Sequence, residues 1–179
     1  ILNKSKKLID LIDRNYNINN NKKKIIRARS PARISLAGGG TDVTKYFFKK
    51  GGSSISFTIN KYCNVSQIIK QYFDIKINIE SDISPGSGLG GSAEVSSSVI
   101  GVLNYIQNKK LSKYEISELA FQAERIELGV TGGWQDQYST VFGGCNLMEF
   151  ERNFNLVHNL TLPGNVLDEL ERRIVICDT

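Results

Sequence analysis

Histidine is almost absent from this 179-residue chain, which contains one, and cysteine is scarce, with three. The lone histidine, His158, lies in a strand-like run and is interpreted as a surface residue, which excludes His-based catalysis and His-rich metal sites. Cys63, Cys145 and Cys177 are odd in number and no two of them have C-x-x-C spacing. They are therefore predicted to be reduced thiols of a cytoplasmic protein, with no role in metal binding.

Long apolar runs are missing as well. No stretch of 18 apolar residues occurs and the amino end has no hydrophobic leader region, so neither a membrane span nor a secretory signal is expected. Hydrophobic residues make up 40% of the chain, which fits a globular protein long enough for one domain or slightly more. The predicted location is the cytoplasm, with no membrane partner.

Charge is unevenly distributed along the chain. Residues 1–50 carry 13 Lys and Arg against 3 Asp and Glu, whereas residues 51–179 carry 10 against 15. The basic amino end has a single aromatic residue before the first strand, Tyr16, and no nucleic-acid-binding motif, so no nucleic-acid partner is expected. Residues 1–23 are interpreted as a basic helix followed by an asparagine-rich linker, and residues 24–179 as one folded domain.

A glycine-rich segment lies between a predicted strand, 73–79, and a predicted helix, 92–107. Glycines allow the backbone to approach a ligand, and the helix N-terminus adds positive potential, so the layout is typical of a phosphate site. The G-x-G-x-x-G dinucleotide pattern also fits but lacks its later acidic residue, and no lysine completes a P-loop. A glycine turn without a ligand is the remaining alternative. The predicted phosphate-binding residues are Pro85, Gly86, Ser87, Gly88, Leu89, Gly90, Gly91 and Ser92.

Two other segments carry polar residues at ordered positions. In the first, Ile34 and Leu36 alternate with Arg33 and Ser35 before the triple glycine and Thr41-Asp42. This alternation predicts a strand with one apolar face. A carboxylate that accepts two hydrogen bonds suits sugar hydroxyls, so Asp42 is a candidate sugar ligand. The alternative is that Asp42 caps a helix over 43–49.

The second such segment begins with the capping box Ser112-x-x-Glu115, which predicts the start of a helix. Gly129 suits the C-terminal cap of that helix, and Glu124 lies in its last turns. Asp136 follows twelve residues after Glu124, directly beyond another glycine turn. For Glu124, the alternative interpretation is a solvated helix carboxylate.

The secondary-structure pattern predicts an α+β fold, with strands, then helices, then strands. Strands are expected at 25–29, 32–37, 54–59, 63–69 and 73–79, and helices at 92–107 and 112–128. A hairpin over 146–151 and 156–162, a short helix at 166–171 and a final strand at 173–177 complete the prediction.

The three segments, in this order, resemble the motifs of the GHMP kinases, which include galactokinase, homoserine kinase and mevalonate kinase. The second motif of the family reads P-x-x-x-G-L-G-S-S-A, and here Gly91 replaces its first serine while Ser92 keeps the second. The wording G-G-G-T-D and G-G-x-Q-D-Q-Y is narrower and resembles the D-glycero-D-manno-heptose 7-phosphate kinases. The resemblance implies an amino-terminal domain similar to domain 2 of ribosomal protein S5, followed in the family by a C-terminal domain that is absent here.

The resemblance also implies a role for each site residue. ATP phosphates would lie on residues 85–92, and Mg²⁺ would be held by Ser92 and Glu124. Asp136 is the candidate catalytic base, and Arg33 would stabilise the transferring phosphoryl group and, if adjacent to Asp136, keep that residue ionised. The implied sugar contacts are Gly39, Gly40, Thr41 and Asp42.

The implied reaction is transfer of the ATP γ-phosphoryl group to the anomeric hydroxyl of a sugar phosphate, D-glycero-D-manno-heptose 7-phosphate. Alternatives are a GHMP kinase for fucose or galactose, a non-catalytic nucleotide-binding fragment and a dinucleotide-binding oxidoreductase fragment. Residues 1–179 alone are expected to be inactive, because the family completes its sugar site with the C-terminal domain. The connection between Lys70 and Phe73 is shorter than in the family, where a longer segment helps to hold adenine.

Overall fold

The computed structural model describes residues 24–69, 75–106 and 110–176. The predicted basic helix and linker at 1–23, and the short connection after Ile69, therefore lie outside the described residues. Among the described residues, no helix is both long and apolar enough to cross a membrane.

One antiparallel sheet contains all five described strands. The second strand is the longest and lies at the centre, with the first strand along one side. On its other side it pairs with the third strand over 63–69 and with the fourth over 52–57, and the fifth strand pairs with the fourth. The strands are β1 (Lys24–Ala37), β2 (Gly52–Ile69), β3 (Ile75–Ser81), β4 (Cys145–Phe150) and β5 (Asn155–Asn159).

The helices come from the connections between these strands. A capping box at Ser112 and Glu115 begins the third helix, as predicted, and that helix continues into one π-helical segment over Gln122–Glu127. Gly129 follows it with φ +68, which confirms its place at the C-terminal end. The helices are α1 (Thr44–Lys50), α2 (Gly91–Ile106), α3 (Lys113–Phe121), α4 (Gln135–Phe142) and α5 (Gly164–Arg173).

Two apolar clusters hold the helices on the sheet. The first lies between α2 and strands β1 and β2 and contains Ile26, Cys63, Val65 and Val102. The second lies beneath α4 and contains Phe47, Tyr138, Met148 and Phe150. Burial of such side chains is the main favourable contribution to folding, and here it fixes α2 and α4 side by side against the sheet.

The α+β class and the order of elements are confirmed, but two predicted strand breaks are wrong. The strands predicted at 25–29 and 32–37 form one strand, β1, with an irregularity between Pro31 and Arg33. Proline lacks a donor N–H, and a bulge at an outer strand tolerates it without ending the strand. Likewise, the strands predicted at 54–59 and 63–69 form the single strand β2. Tyr62, between the two ranges, pairs with Pro31 of β1, and the pairing of β1 with β2 extends on both sides of it.

Two further predictions fail at the carboxyl side. The final strand predicted at 173–177 is wrong, because α5 extends to Arg173 and residues 174–176 form no regular element. An apolar run becomes a strand only where another strand offers it hydrogen bonds, and these residues have no such neighbour in the described part of the chain. Helix α4 was not predicted, although Trp134, Tyr138, Val141 and Phe142 follow the apolar spacing of a helix. It has only eight residues and directly follows a glycine-rich segment, so the local pattern is short.

Candidate active site

The glycine loop joins β3 to α2, so the predicted order of strand, glycine loop and helix is confirmed. Gly86, Gly88 and Gly90 have φ values of +84, +73 and +88, which only glycine adopts readily. A Cβ atom at Gly86 or Gly88 would meet nothing within 4 Å, so the loop has open space beside its backbone. This geometry fits a ligand that lies directly on the main chain.

Arg33, on β1, connects the glycine loop to α4. Its Nη1 donates to the carbonyl oxygen of Gly88 at 3.0 Å, and its backbone N–H donates to that of Leu89 at 3.1 Å. Its Nε donates to Oδ1 of Asp136 at 2.9 Å, and its Nη2 lies 2.6 Å from the same oxygen. Arg33 and Asp136, whose adjacency the sequence left open, are therefore in direct contact in the structure.

Asp136 lies in the first turn of α4 and has a second cationic neighbour, Arg125. Nη2 of Arg125 lies 3.6 Å from Oδ2 of Asp136, so each carboxylate oxygen faces a different arginine. Sequence reasoning did not identify Arg125 as a site residue. The available signal was its position directly after Glu124 in the E-R-x-x-L-G segment.

Glu124 is 1% exposed, so its interpretation as a solvated helix carboxylate is wrong. Its Oε2 accepts hydrogen bonds from Nε2 of Gln137 and, at 3.5 Å, from the hydroxyl of Ser96. Its Oε1 is buried and has no hydrogen-bond partner among the described residues. An unpaired buried carboxylate oxygen is costly, which points to a cation or a donor that completes the site.

The π-helical segment explains how Glu124 and Arg125 reach the same cavity. The N–H of Leu128 donates to the carbonyl oxygen of Ala123 at 3.1 Å, five residues earlier, which is the π-helical pattern. Adjacent residues of an α-helix point about 100° apart, and the wider π turn reduces that angle. Both side chains consequently line the cavity beside the glycine loop.

This cavity has a volume of about 390 Å³ and contains most of the predicted site. Its lining combines a backbone surface rich in glycine, two arginines, two carboxylates and the exposed hydroxyl-bearing residue Ser92. No cluster of three or more His, Cys, Asp or Glu side chains occurs in the part of the chain that is described. A divalent cation would therefore depend on Ser92, Glu124 and the phosphate oxygens of a bound ligand, which are the hard oxygen donors that Mg²⁺ prefers.

Asp42 is 2% exposed and caps a helix, although not the one proposed as the alternative. Its Oδ1 accepts from the N–H of Gly40 and its Oδ2 from the N–H of Gln135, both at 3.0 Å. It thus satisfies the N-terminus of α4, whereas α1 begins after Val43 without a side-chain cap. The capping partner lies 93 residues away in sequence, which explains why the local pattern indicated the wrong helix.

Thr41 connects the 38–42 turn to β2 through hydrogen bonds. Its hydroxyl lies 2.8 Å from the carbonyl oxygens of Gly38 and Ser53 and accepts the N–H of Ser53 at 3.1 Å. None of the predicted sugar contacts at 39–42 belongs to the lining of the 390 Å³ cavity. They adjoin it through Gln135, which bonds to Asp42 and is followed by Asp136.

Sequence reasoning also missed Glu94, which lies in the first turn of α2 beneath the glycine loop. Its side chain is fully buried, and neither carboxylate oxygen has a hydrogen-bond partner among the described residues. Burial, reinforced by the carboxylate of Asp82 and opposed by Arg33, raises the pKa of Glu94 to about 7.

Comparison with known proteins places this chain in a family. Residues 54–144 match the sequence profile of the GHMP kinases N terminal domain. The chain is 32% identical over 200 residues to the D-glycero-alpha-D-manno-heptose 7-phosphate kinase of Campylobacter jejuni, covering 86% of this chain and 59% of that protein. It is also 30% identical over 118 residues to the L-fucokinase/L-fucose-1-P guanylyltransferase of Bacteroides fragilis, covering 65% of this chain and 12% of that protein.

A solved structure agrees with these sequence matches. The crystal structure of a D-glycero-D-manno-heptose 1-phosphate kinase from Bacteroides thetaiotaomicron superposes with a TM-score of 0.73 at 30% identity. The match covers 83% of this chain and 63% of that one, so the chain spans about three fifths of the heptose kinases that it matches. With the glycine loop, Glu124 and Asp136 arranged around one cavity, these matches show that the chain belongs to the GHMP kinase family and contains its N-terminal domain.

Proposed function

We propose that the protein containing this chain is an ATP-dependent sugar kinase. The observation that carries the proposal is the position of Arg33, which bonds to the glycine loop through Gly88 and to Asp136 on α4. The guanidinium group of Arg33 thus bridges two parts of the site. One is a backbone surface suited to phosphates, and the other is a carboxylate suited to an acceptor hydroxyl. In phosphoryl transfer, positioning and electrostatic stabilisation supply most of the rate, and this arrangement offers both.

In the proposed site, the backbone of residues 85–92 binds the ATP phosphates and the start of α2 adds positive potential. Ser92 and the free oxygen of Glu124 would hold Mg²⁺, which neutralises charge on the phosphates when bound. Gln137 and Ser96 fix the other oxygen of Glu124 and so orient its carboxylate.

Asp136 orients the acceptor hydroxyl and takes its proton. A new bond forms between the acceptor oxygen and the γ-phosphorus, the bond from that phosphorus to the bridging oxygen breaks, and ADP leaves. Arg33 stabilises the negative charge of the phosphoryl group during transfer. Because Arg33 also pairs with Asp136, it keeps that carboxylate aligned with the glycine loop.

The proposed acceptor is D-glycero-D-manno-heptose 7-phosphate, phosphorylated at its anomeric hydroxyl. The proposal relies on the two heptose kinases to which the chain is similar and on the G-G-G-T-D wording of its first motif. Gly39, Gly40, Thr41 and Asp42 are the proposed sugar contacts. Gly40 has open space beside it, and Asp42, which is 2% exposed, holds this turn through its backbone hydrogen bonds with Gly40 and Gln135.

The reaction is tested by assaying the full-length gene product for ATP consumption with a panel of sugars and sugar phosphates. Asp136→Asn is expected to lower kcat by about 10²–10⁴, the range for loss of a positioned acid–base group, with little change in ATP affinity. Retention of kcat in that variant would exclude the role given to Asp136. ATP binding without turnover on any acceptor would favour the non-catalytic alternative.

The acceptor is tested by comparing kcat/KM for heptose 7-phosphate, free heptose, fucose and galactose. The matches to fucokinases make fucose the principal competitor. Preference for an unphosphorylated sugar by more than about tenfold, or roughly 1.4 kcal/mol of transition-state binding, would reject the heptose phosphate and leave the kinase assignment intact.

A further inference from the structure

Arg125 contacts two backbone carbonyl oxygens of the turn before α4 as well as the carboxylate of Asp136. Its Nε donates to the carbonyl oxygen of Gly133 and its Nη1 to that of Thr131, both at 3.3 Å. Its Nη2 lies 3.6 Å from Oδ2 of Asp136. A single guanidinium group therefore connects three acceptors within the six residues 131–136, which includes the whole glycine turn.

Gly132 completes this arrangement, because the guanidinium group lies against its Cα. A Cβ atom at Gly132 would stand 2.6 Å from Cζ of Arg125, 2.8 Å from Nη2 and 2.9 Å from Nη1. No side chain fits there while the guanidinium group keeps its position. The glycine and the arginine consequently depend on each other, although they are seven residues apart.

The side chain of Arg125 is 11% exposed, and that of Asp136 is 21% exposed. Pairing at such depth limits the freedom of both groups, because partners that are withdrawn from water exchange less readily with solvent. Arg33 holds Oδ1 of Asp136 from β1, and Arg125 holds the other side from the π-helical segment. Together the two arginines fix the plane of the carboxylate.

We propose that Arg125 is a positioning residue that holds the 131–134 turn and aligns the carboxylate of Asp136, in the first turn of α4, with the glycine loop. The π turn serves this role, since it points Arg125 into the cavity directly beside Glu124. The inference depends on the proposed kinase function for its catalytic meaning. Its structural part, the stabilisation of the 131–134 turn by Arg125, does not depend on that function.

The test uses the full-length protein with Arg125→Gln, Gly132→Ala and the double variant. Arg125→Gln removes the charge and the fork of donors, and Gly132→Ala displaces the flexible end of Arg125 without altering it. Both are expected to lower kcat by about tenfold to a hundredfold, the scale for a misplaced catalytic group, with KM for ATP changed by less than about threefold. Because both act on one contact, the double variant should be little worse than either single variant.

Two variants on α5 serve as matched controls. Arg173→Gln removes an exposed arginine that pairs only with Glu169 in the described structure, and Gly164→Ala adds a Cβ where nothing lies within 4 Å. Both should retain wild-type kcat. Hydrogen–deuterium exchange of the peptide over 130–136 provides a second measurement, and its protection should fall in Arg125→Gln and Gly132→Ala alone.

Turnover by the wild-type protein tests the proposed function. The kcat and the exchange protection of the variants, each relative to wild type, test this inference. Unchanged exchange in Arg125→Gln would show that the arginine does not hold the turn. Faster exchange with wild-type kcat would restrict Arg125 to a structural role, and an increase in KM for ATP with kcat retained would assign it to nucleotide binding. Each of these three results would overturn the proposal.

Discussion

Glu94 makes the stability of this domain depend on pH in a direction opposite to that of an ordinary paired carboxylate. Its side chain is fully buried beneath the glycine loop, without hydrogen-bond partners among the described residues, and burial raises its pKa from 4.5 to about 7. The native state therefore binds the proton more tightly than the unfolded chain does. The contribution of Glu94 to stability is therefore greatest below the unfolded pKa and falls as pH rises from 4.5 through 7.

The size of the effect follows from that pKa. Each tenfold change in proton affinity corresponds to about 1.4 kcal/mol, so a rise to about 7 costs the native state roughly 3 kcal/mol above neutral pH. Glu94→Gln removes the titrating group. The free energy of unfolding of the variant, relative to that of wild type, should increase by roughly 3 kcal/mol between pH 4.5 and pH 8.

The measurement is urea unfolding at several pH values between 4.5 and 8. EDTA is included, because Glu94 lies two residues after Ser92, a proposed metal ligand. The same substitution at Glu127, which is exposed, is the matched control and should give a difference that does not change with pH. A flat difference for Glu94→Gln as well would show that the carboxylate is hydrated or paired, which would refute the burial argument.

Two further predictions concern the metal and the first glycine turn. Ser92→Ala and Glu124→Gln should each increase the Mg²⁺ concentration needed for half-maximal activity, and a double variant with fully additive effects would show that they share no ion. Gly38→Ala should lower the free energy of unfolding by about 1–3 kcal/mol more than Gly40→Ala, because its Cβ would stand 1.9 Å from the carbonyl oxygen of Ser53. Both glycines have positive φ, but Gly40 has open space beside it, so equal losses in urea unfolding would contradict the collision argument.

Local features of the chain were predictable because their causes lie within a few residues. The capping box at Ser112 and Glu115 and the end of the third helix near Gly129 depend only on adjacent backbone groups. The glycine loop between β3 and α2 was predictable for the same reason. The roles given to Asp136 and Arg33 came from family resemblance, and they stay predictions until variants are assayed.

Errors arose where a distant segment decided the outcome. Helix α4 begins because Asp42, 93 residues earlier, caps it, and nothing in the local sequence indicates that partner. The run at 174–176 has the composition of a strand but no neighbouring strand in the described part of the chain. Glu94 follows Ser92 and Ala93 in a pattern that gives no sign of complete burial.

By itself, the sequence determined that this is an α+β chain with a glycine loop at a helix N-terminus and carboxylates in two other motifs, one before the loop and one after it. Only the tertiary structure decided which groups meet: Arg33 with Asp136 across 103 positions, Asp42 with α4, and Arg125 with the turn before Asp136. Helix caps and glycine turns depend on adjacent peptide groups, which a sequence displays directly. Contacts between distant residues depend on strand register, on helix packing and on one π turn, which exist only once the whole domain has folded.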